Sequence, residues 1–193
     1  STCNGRICVT MFASNIGRII SIARAAKKVG RQVCLAGRSL HNYTAVAQEH
    51  HMLRDIPELI DPRRAGGLPP NRVVYVVTGS QGEERAVMSR ISNQDYRDIK
   101  LSSGDTVIFS SRTIPGNERA VLKMVNQFYE KGAHVYYNVG EDLHVSGHAH
   151  KKELEKMFDI VDPKFFIPVH GEYRHLIKHA ELAVSTGIKE NNI

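Results

Sequence analysis

Histidine can bind a metal or move a proton near neutral pH, and this chain concentrates it. The stretch DLHVSGHAHKKELEKMFDIVDPKFFIPVHGEYRHL, residues 142–176, holds His144, His148, His150, His170 and His175, and His179 follows. Six of the ten histidines fall after residue 140. Zinc held by imidazoles can activate water for hydrolysis, but such a centre usually takes three or four protein ligands. Local spacing does not supply them: HAH at 148–150 runs into Lys151, Lys152 and Glu153 instead of completing HxHxDH, and no HExxH occurs. The competing reading is a set of solvated helix faces. Lys178 beside His175 and His179, and Lys151-Lys152 after His150, point those three histidines toward solvent. His170 differs, because it stands at the carboxyl end of strand-like KFFIPV and before Gly171, where a group is rigidly held yet accessible. His148 follows Ser146-Gly147 at the entry to a helix, an anion-friendly position, with His144 close by. His41, His50, His51 and His134 have no partners in sequence and read as structural or exposed.

Four loops form a second set of candidate chemistry. A β-branched run, a small polar loop and an amphipathic helix recur: RICVTMF through ASN, QVCLAG through RSL, VVYVVTG through SQGEE, and DTVIFSS through RTIPGNE. AHVYYNVG reads as a further strand. This alternation predicts an α/β fold with a mostly parallel sheet and helices on both faces. Residues 50–71 read as a Pro- and Gly-rich connection with at most one or two helical turns. Open α/β sheets bind ligands at the carboxyl ends of their strands, and there Ser14, Asn15, Arg38, Ser39, Ser80, Gln81, Ser111, Arg112 and Asn117 offer donors beside helix N-termini. For any one of these loops helix capping is the stronger reading. Four on one rim, with two arginines, favour phosphate. After residue 140, Leu154, Met157, Phe158 and Val161 predict one helical stripe, and Leu176, Ile177, Ala180 and Val184 another.

Composition sets the outer limits. The 193 residues are 41% hydrophobic and 24% charged, ordinary for a globular chain long enough to bury a core. A net charge of +6 and a pI near 9.3 suit an anionic partner. Cys3, Cys8 and Cys34 form neither a disulfide framework nor a CxxC zinc site. The apolar runs are too short to span a membrane and no leader pattern opens the chain, so a cytoplasmic protein is expected.

In order, TGSQGEE, IPGNE, HVSGHA and FFIPVHGEYRHL closely resemble the ribonuclease J family, β-CASP nucleases of the metallo-β-lactamase fold. The likeness runs from FASNIGRI to HAELA. It implies a β-CASP domain over 1–140 and, over 141–193, the incomplete return segment of a metallo-β-lactamase domain. It further implies a zinc-dependent ribonuclease, both 5′-to-3′ exonuclease and endonuclease, that attacks phosphodiesters with a metal-bound hydroxide. On that resemblance His170 matches a zinc ligand and His148 the catalytic histidine at the scissile phosphate. Phe12, Ala13 and Ser14, with His144, Val145, Ser146, Gly147 and His148, match the nucleotide-phosphate pocket. The implied partner is RNA with a 5′-monophosphate, and the complete protein is expected to be a homo-oligomer with two zinc ions per site. The upstream HxHxDH and the other metal ligands are absent from this sequence, so the chain alone is expected to be inactive. Arg112, Tyr96 and His150 also depart from the family pattern. The alternative is a non-catalytic RNA- or nucleotide-binding α/β module using the same loops.

Overall fold

All five residues of the segment Val73–Val77 are buried, as in a strand covered on both faces. Its side chains alternate between two apolar cores: Val73, Tyr75 and Val77 enter one, Val74 and Val76 the other. The structure is a computed structural model that describes residues 3–137 and 147–193. It divides into two compact units, Ser1–His144 and Val145–Ile193. In the first, β1 (Ile7–Thr10), β2 (Gln32–Ala36), β3 (Leu59–Ile60), β4 (Val73–Val77), β5 (Thr106–Phe109) and β6 (His134–Tyr136) form one sheet. Their order is β3-β2-β4-β1-β5-β6 and every pairing is parallel.

Parallel neighbours need crossovers, which α1 (Ile16–Lys28), α2 (Arg38–Glu49), α3 (Pro62–Gly66), α4 (Val87–Ser92) and α5 (Glu118–Glu130) supply. Ile19 and Ala23 of α1 and Leu40 of α2 pack with Val9, Val33, Leu35 and Val76. Met88 and Ile91 of α4 and Val121, Met124, Val125 and Phe128 of α5 pack on the opposite face with Cys8, Cys34, Tyr75 and Val107. The fold is thus the expected α/β class, with helices on both faces and a sheet parallel throughout. At its amino edge, buried Asp105 accepts from Arg6 N at 2.7 Å and Ser102 N at 2.9 Å. Buried Arg31 donates to the carbonyls of Cys3, Gly5 and Val73. The connection at 50–71 contains α3 and also β3, a strand its composition conceals: β2 offers a free edge, and Val33 and Cys34 pair with Leu59 and Ile60. Of AHVYYNVG, His134–Tyr136 is strand and residues from 138 lie outside the described ones.

In the second unit α6 (Lys151–Val161) and α7 (Tyr173–Ser185) meet through Phe158, Leu182 and Ala183. The expected stripes close only in part. Met157 and Val161 are each 58% exposed, and Ile177 and Val184 are exposed as well. Among the described residues of this unit only the other helix and the Phe166, Ile188 and Ile193 side chains cover this small core, so the outer part of each stripe stays open. KFFIPV is not a strand. Phe166 N donates to Asn192 O at 2.9 Å and Asn192 Nδ2 to Lys164 O at 2.8 Å, and no described strand pairs with the segment. A strand requires a ladder partner, which local sequence does not provide.

Candidate functional site

Because the sheet is parallel, the loops after β1, β2, β4 and β5 leave the same edge. They do not use their donors alike. After β1, Asn15 Oδ1 accepts from Arg18 N at 3.0 Å and caps α1, so here the capping reading holds. Phe12 and Ser14 are exposed and Ala13 half-buried, with the turn fixed by Asn15 N donating to Phe12 O at 3.1 Å. The Arg18 guanidinium donates to Ser110 O, tying this loop to the one after β5.

Gln81 departs from expectation. It is buried, its Oε1 accepts from Ile114 N at 2.8 Å, and its Nε2 donates to Arg112 O at 3.0 Å. Both ends of the amide are spent on the loop after β5, so Gln81 braces that loop and does not face a ligand. Gly82 beside it has φ 82°, and an added Cβ would lie 2.5 Å from Ala120 Cβ; glycine is what lets the loop lie against α5. Ser80 and Ser111 are buried too, whereas Arg38, Ser39 and Arg112 are exposed.

In the second unit His148 and His170 come together, their rings stacked with centroids 5.6 Å apart. Twenty-two positions separate them in sequence, so only the fold makes the pair. His170 has φ 72° and is followed by Gly171 at φ 122°. A left-handed conformation at a non-glycine residue costs roughly 1–2 kcal/mol, and such strain gathers at functional positions. No sequence pattern revealed it. His148 does not stand at a helix entry: α6 starts three residues later, and the residue before it is His150, whose N–H donates to Glu153 Oε2 at 2.7 Å. His179 is half-buried and packs edge-on against Phe166, centroids 4.8 Å apart. His144, Val145 and Ser146 lie outside the described residues. Among the described residues no three His, Cys, Asp or Glu side chains are placed to hold a metal ion. The exposed imidazole of His170 suits zinc chemically, yet these residues do not close a zinc site.

Two family profiles match in tandem: "Ribonuclease J, beta-CASP domain" over residues 4–128 and "Zn-dependent metallo-hydrolase RNA specificity domain" over 132–193. The chain belongs to the ribonuclease J β-CASP family. It is 42% identical over 184 residues to "Ribonuclease J" of Sinorhizobium meliloti, covering 95% of this chain and 33% of that protein. Against "Ribonuclease J" of Mycolicibacterium smegmatis the identity is 43% over 190 residues, covering 98% and 34%. "Ribonuclease J" of Synechocystis gives 41% over 194 residues, covering 100% and 30%. The chain therefore spans about a third of the length of the curated relatives it matches. Within the ribonuclease J β-CASP match lie β1 to β5 and most of α5; the RNA specificity match takes in β6, α6, α7 and the His148–His170 pair. Among the described residues no helix is long and apolar enough to cross a membrane.

Proposed function

We propose that this chain is part of a zinc-dependent ribonuclease that degrades or processes RNA from a 5′-monophosphorylated end and internally. Residues 1–140 serve as its β-CASP domain and 141–193 as the returning segment of its metallo-β-lactamase domain. The observation that carries this reading is the tandem match of the two family profiles, over 4–128 and 132–193, along nearly the whole chain. The net charge of +6 suits a polyphosphate substrate. The three free cysteines suit a reducing cytoplasm. The complete protein acts as a homo-oligomer in this reading.

Phe12, Ala13 and Ser14 bind a phosphate group of RNA, with Ser14 exposed next to the N-terminus of α1. Residues 144–147 lead into His148 and serve phosphate recognition with it. His148 donates a hydrogen bond or proton to phosphate oxygen as charge develops there. His170 contributes one imidazole nitrogen to zinc, the remaining ligands coming from sequence outside this chain. Bound zinc supplies Lewis-acid stabilisation of charge on phosphate oxygens.

The test is hydrolysis of 5′-monophosphorylated RNA by the complete protein. Cleavage that a chelator abolishes and zinc restores is expected. RNA that is bound and left intact with every divalent metal tried would instead establish a binding module.

A further inference from the structure

Neighbouring strands β2 and β4 send their chains to opposite faces of the sheet. After β2 the chain enters α2, whose Leu40 lies in one core; after β4 it reaches α4, whose Met88 and Ile91 lie in the other. Divergence of this kind opens a crevice at the carboxyl ends of the strands, where open α/β sheets bind ligands. Here the crevice is a cleft of about 720 Å³, and its lining includes Arg38, His41, Thr78, Arg85, Arg90 and Tyr96 and no carboxylate.

The three arginines are not equivalent. Arg90 is engaged, with Nη2 donating to Asp95 O at 2.8 Å and its guanidinium 5.1 Å from the Tyr96 ring centroid. Arg38 and Arg85 are exposed, and neither forms an ion pair among the described residues. Arg38 opens α2 just after β2 and Arg85 lies in the loop after β4, so the cleft is flanked from both sides by a cation. Gly37 keeps the two loops in contact: its φ is 131°, and an added Cβ would lie 2.9 Å from Thr78 Oγ1. It is also the cap of α2 and brings no side chain to its N-terminus, which adds to the positive potential. Guanidinium forks match phosphate oxygens two at a time, and a pair of them without a competing carboxylate selects an anion with several oxygens.

We infer that this cleft binds a phosphodiester of single-stranded RNA between Arg38 and Arg85. The inference rests on the ribonuclease reading for the identity of the polyanion, and the net charge of +6 favours a polymer over a single small anion. Arg38 and Arg85 act as binding residues for a passing strand, with no part in bond cleavage.

Binding of a labelled oligouridylate to this chain over a range of salt concentrations tests it. For R38A/R85A, affinity falls and the slope of log K against log salt becomes shallower by about 1.4, two phosphate contacts at roughly 0.7 each. R38K/R85K recovers most of that slope, since charge is kept while the fork is lost. Both side chains are exposed, so an unchanged melting temperature verifies that the variants fold. Unchanged affinity and slope in R38A/R85A overturn the inference. Equal competition by inorganic phosphate or uridine monophosphate also overturns it, assigning the cleft to a small anion. A wild-type chain that binds no oligouridylate overturns it too, whereas the ribonuclease reading stands or falls separately on cleavage by the complete protein.

Discussion

The imidazole rings of His148 and His170 lie 11° from parallel with their centroids 5.6 Å apart. Two rings this close can serve one phosphate in different ways. On the proposed roles, His170→Ala in the complete protein is expected to lower metal content and rate together. His148→Ala lowers the rate by roughly two to four orders of magnitude, the range for a general acid–base group, and leaves metal content near wild type. Because α6 is preceded by His150 and not His148, His148→Ala shifts stability by no more than about 0.5 kcal/mol, as at other surface positions. Metal stoichiometry, melting temperature and single-turnover cleavage check the division. Loss of metal from His148→Ala reverses the roles.

Much of the first unit was legible because its signals are local. The buried run at 73–77 and the helical spacing of Val121, Met124, Val125 and Phe128 each report burial directly, and the small polar loops mark the turns between. The role of Gln81 was hidden, because an amide that faces a ligand and one that braces a loop 33 residues away look alike in sequence. β3 was hidden for a related reason: two residues become a strand only when another strand offers an edge. In the second unit the apolar periodicity of α6 and α7 was visible, but which face would be covered depends on what lies next to each helix. The pairing of His148 with His170 and the left-handed backbone at His170 are properties of the fold alone.

Removing the brace at Gln81 destabilises the first unit. Gln81→Leu keeps the volume of the side chain but leaves Ile114 N and Arg112 O without their partner, a loss of about 1–3 kcal/mol for each group that stays buried. Gln81→Glu retains an acceptor for Ile114 N and loses the donor to Arg112 O, so its effect is expected to be smaller. Urea unfolding monitored by circular dichroism gives the order wild type, Gln81→Glu, Gln81→Leu. Identical midpoints would show that the brace contributes nothing.

The buried thiols make the first unit sensitive to alkali. Burial is the main cause that raises both, with Cys34 pushed from 9.0 up to about 12, helped by Asp61 and Asp98. Cys8 is raised further, by burial first and then by Cys34 and Asp105. Both folded values lie above the unfolded one, so the unfolded state loses protons first. Their contribution is complete below the ordinary thiol pKa of 9.0 and is lost progressively toward about 12. The urea midpoint is therefore expected to fall between about pH 8 and pH 10, and less steeply in Cys34→Ala than in wild type. Under native conditions near neutral pH a thiol reagent labels half-buried Cys3 first, while Cys8 and Cys34 react only on unfolding. Labelling of all three at one rate contradicts this.

Residues 164–169 hold three exposed apolar side chains. Phe165, Ile167 and Val169 alternate along the segment at 64%, 77% and 73% exposed, and a fully buried apolar side chain contributes roughly 1.5–3 kcal/mol relative to an exposed one. Alternation with period two is what a strand with one covered face shows, and relatives are about three times as long as this chain. The expectation is that in the complete protein the segment joins a sheet and Ile167 is covered. Ile167→Asp separates the two contexts. In this chain it changes stability by no more than about 0.5 kcal/mol, as for an exposed position. In the complete protein the same substitution buries a carboxylate without a partner and costs several kcal/mol, of the order of 3–5 for an uncompensated buried charge. Amide hydrogen exchange gives an independent reading: among the described residues neither Ile167 N nor Val169 N has a backbone acceptor, so both are expected to exchange fast here and slowly in the complete protein. Equal, small effects of Ile167→Asp in both proteins, with fast exchange in both, would mean that the segment stays at the surface and that the remainder of the complete protein lies elsewhere.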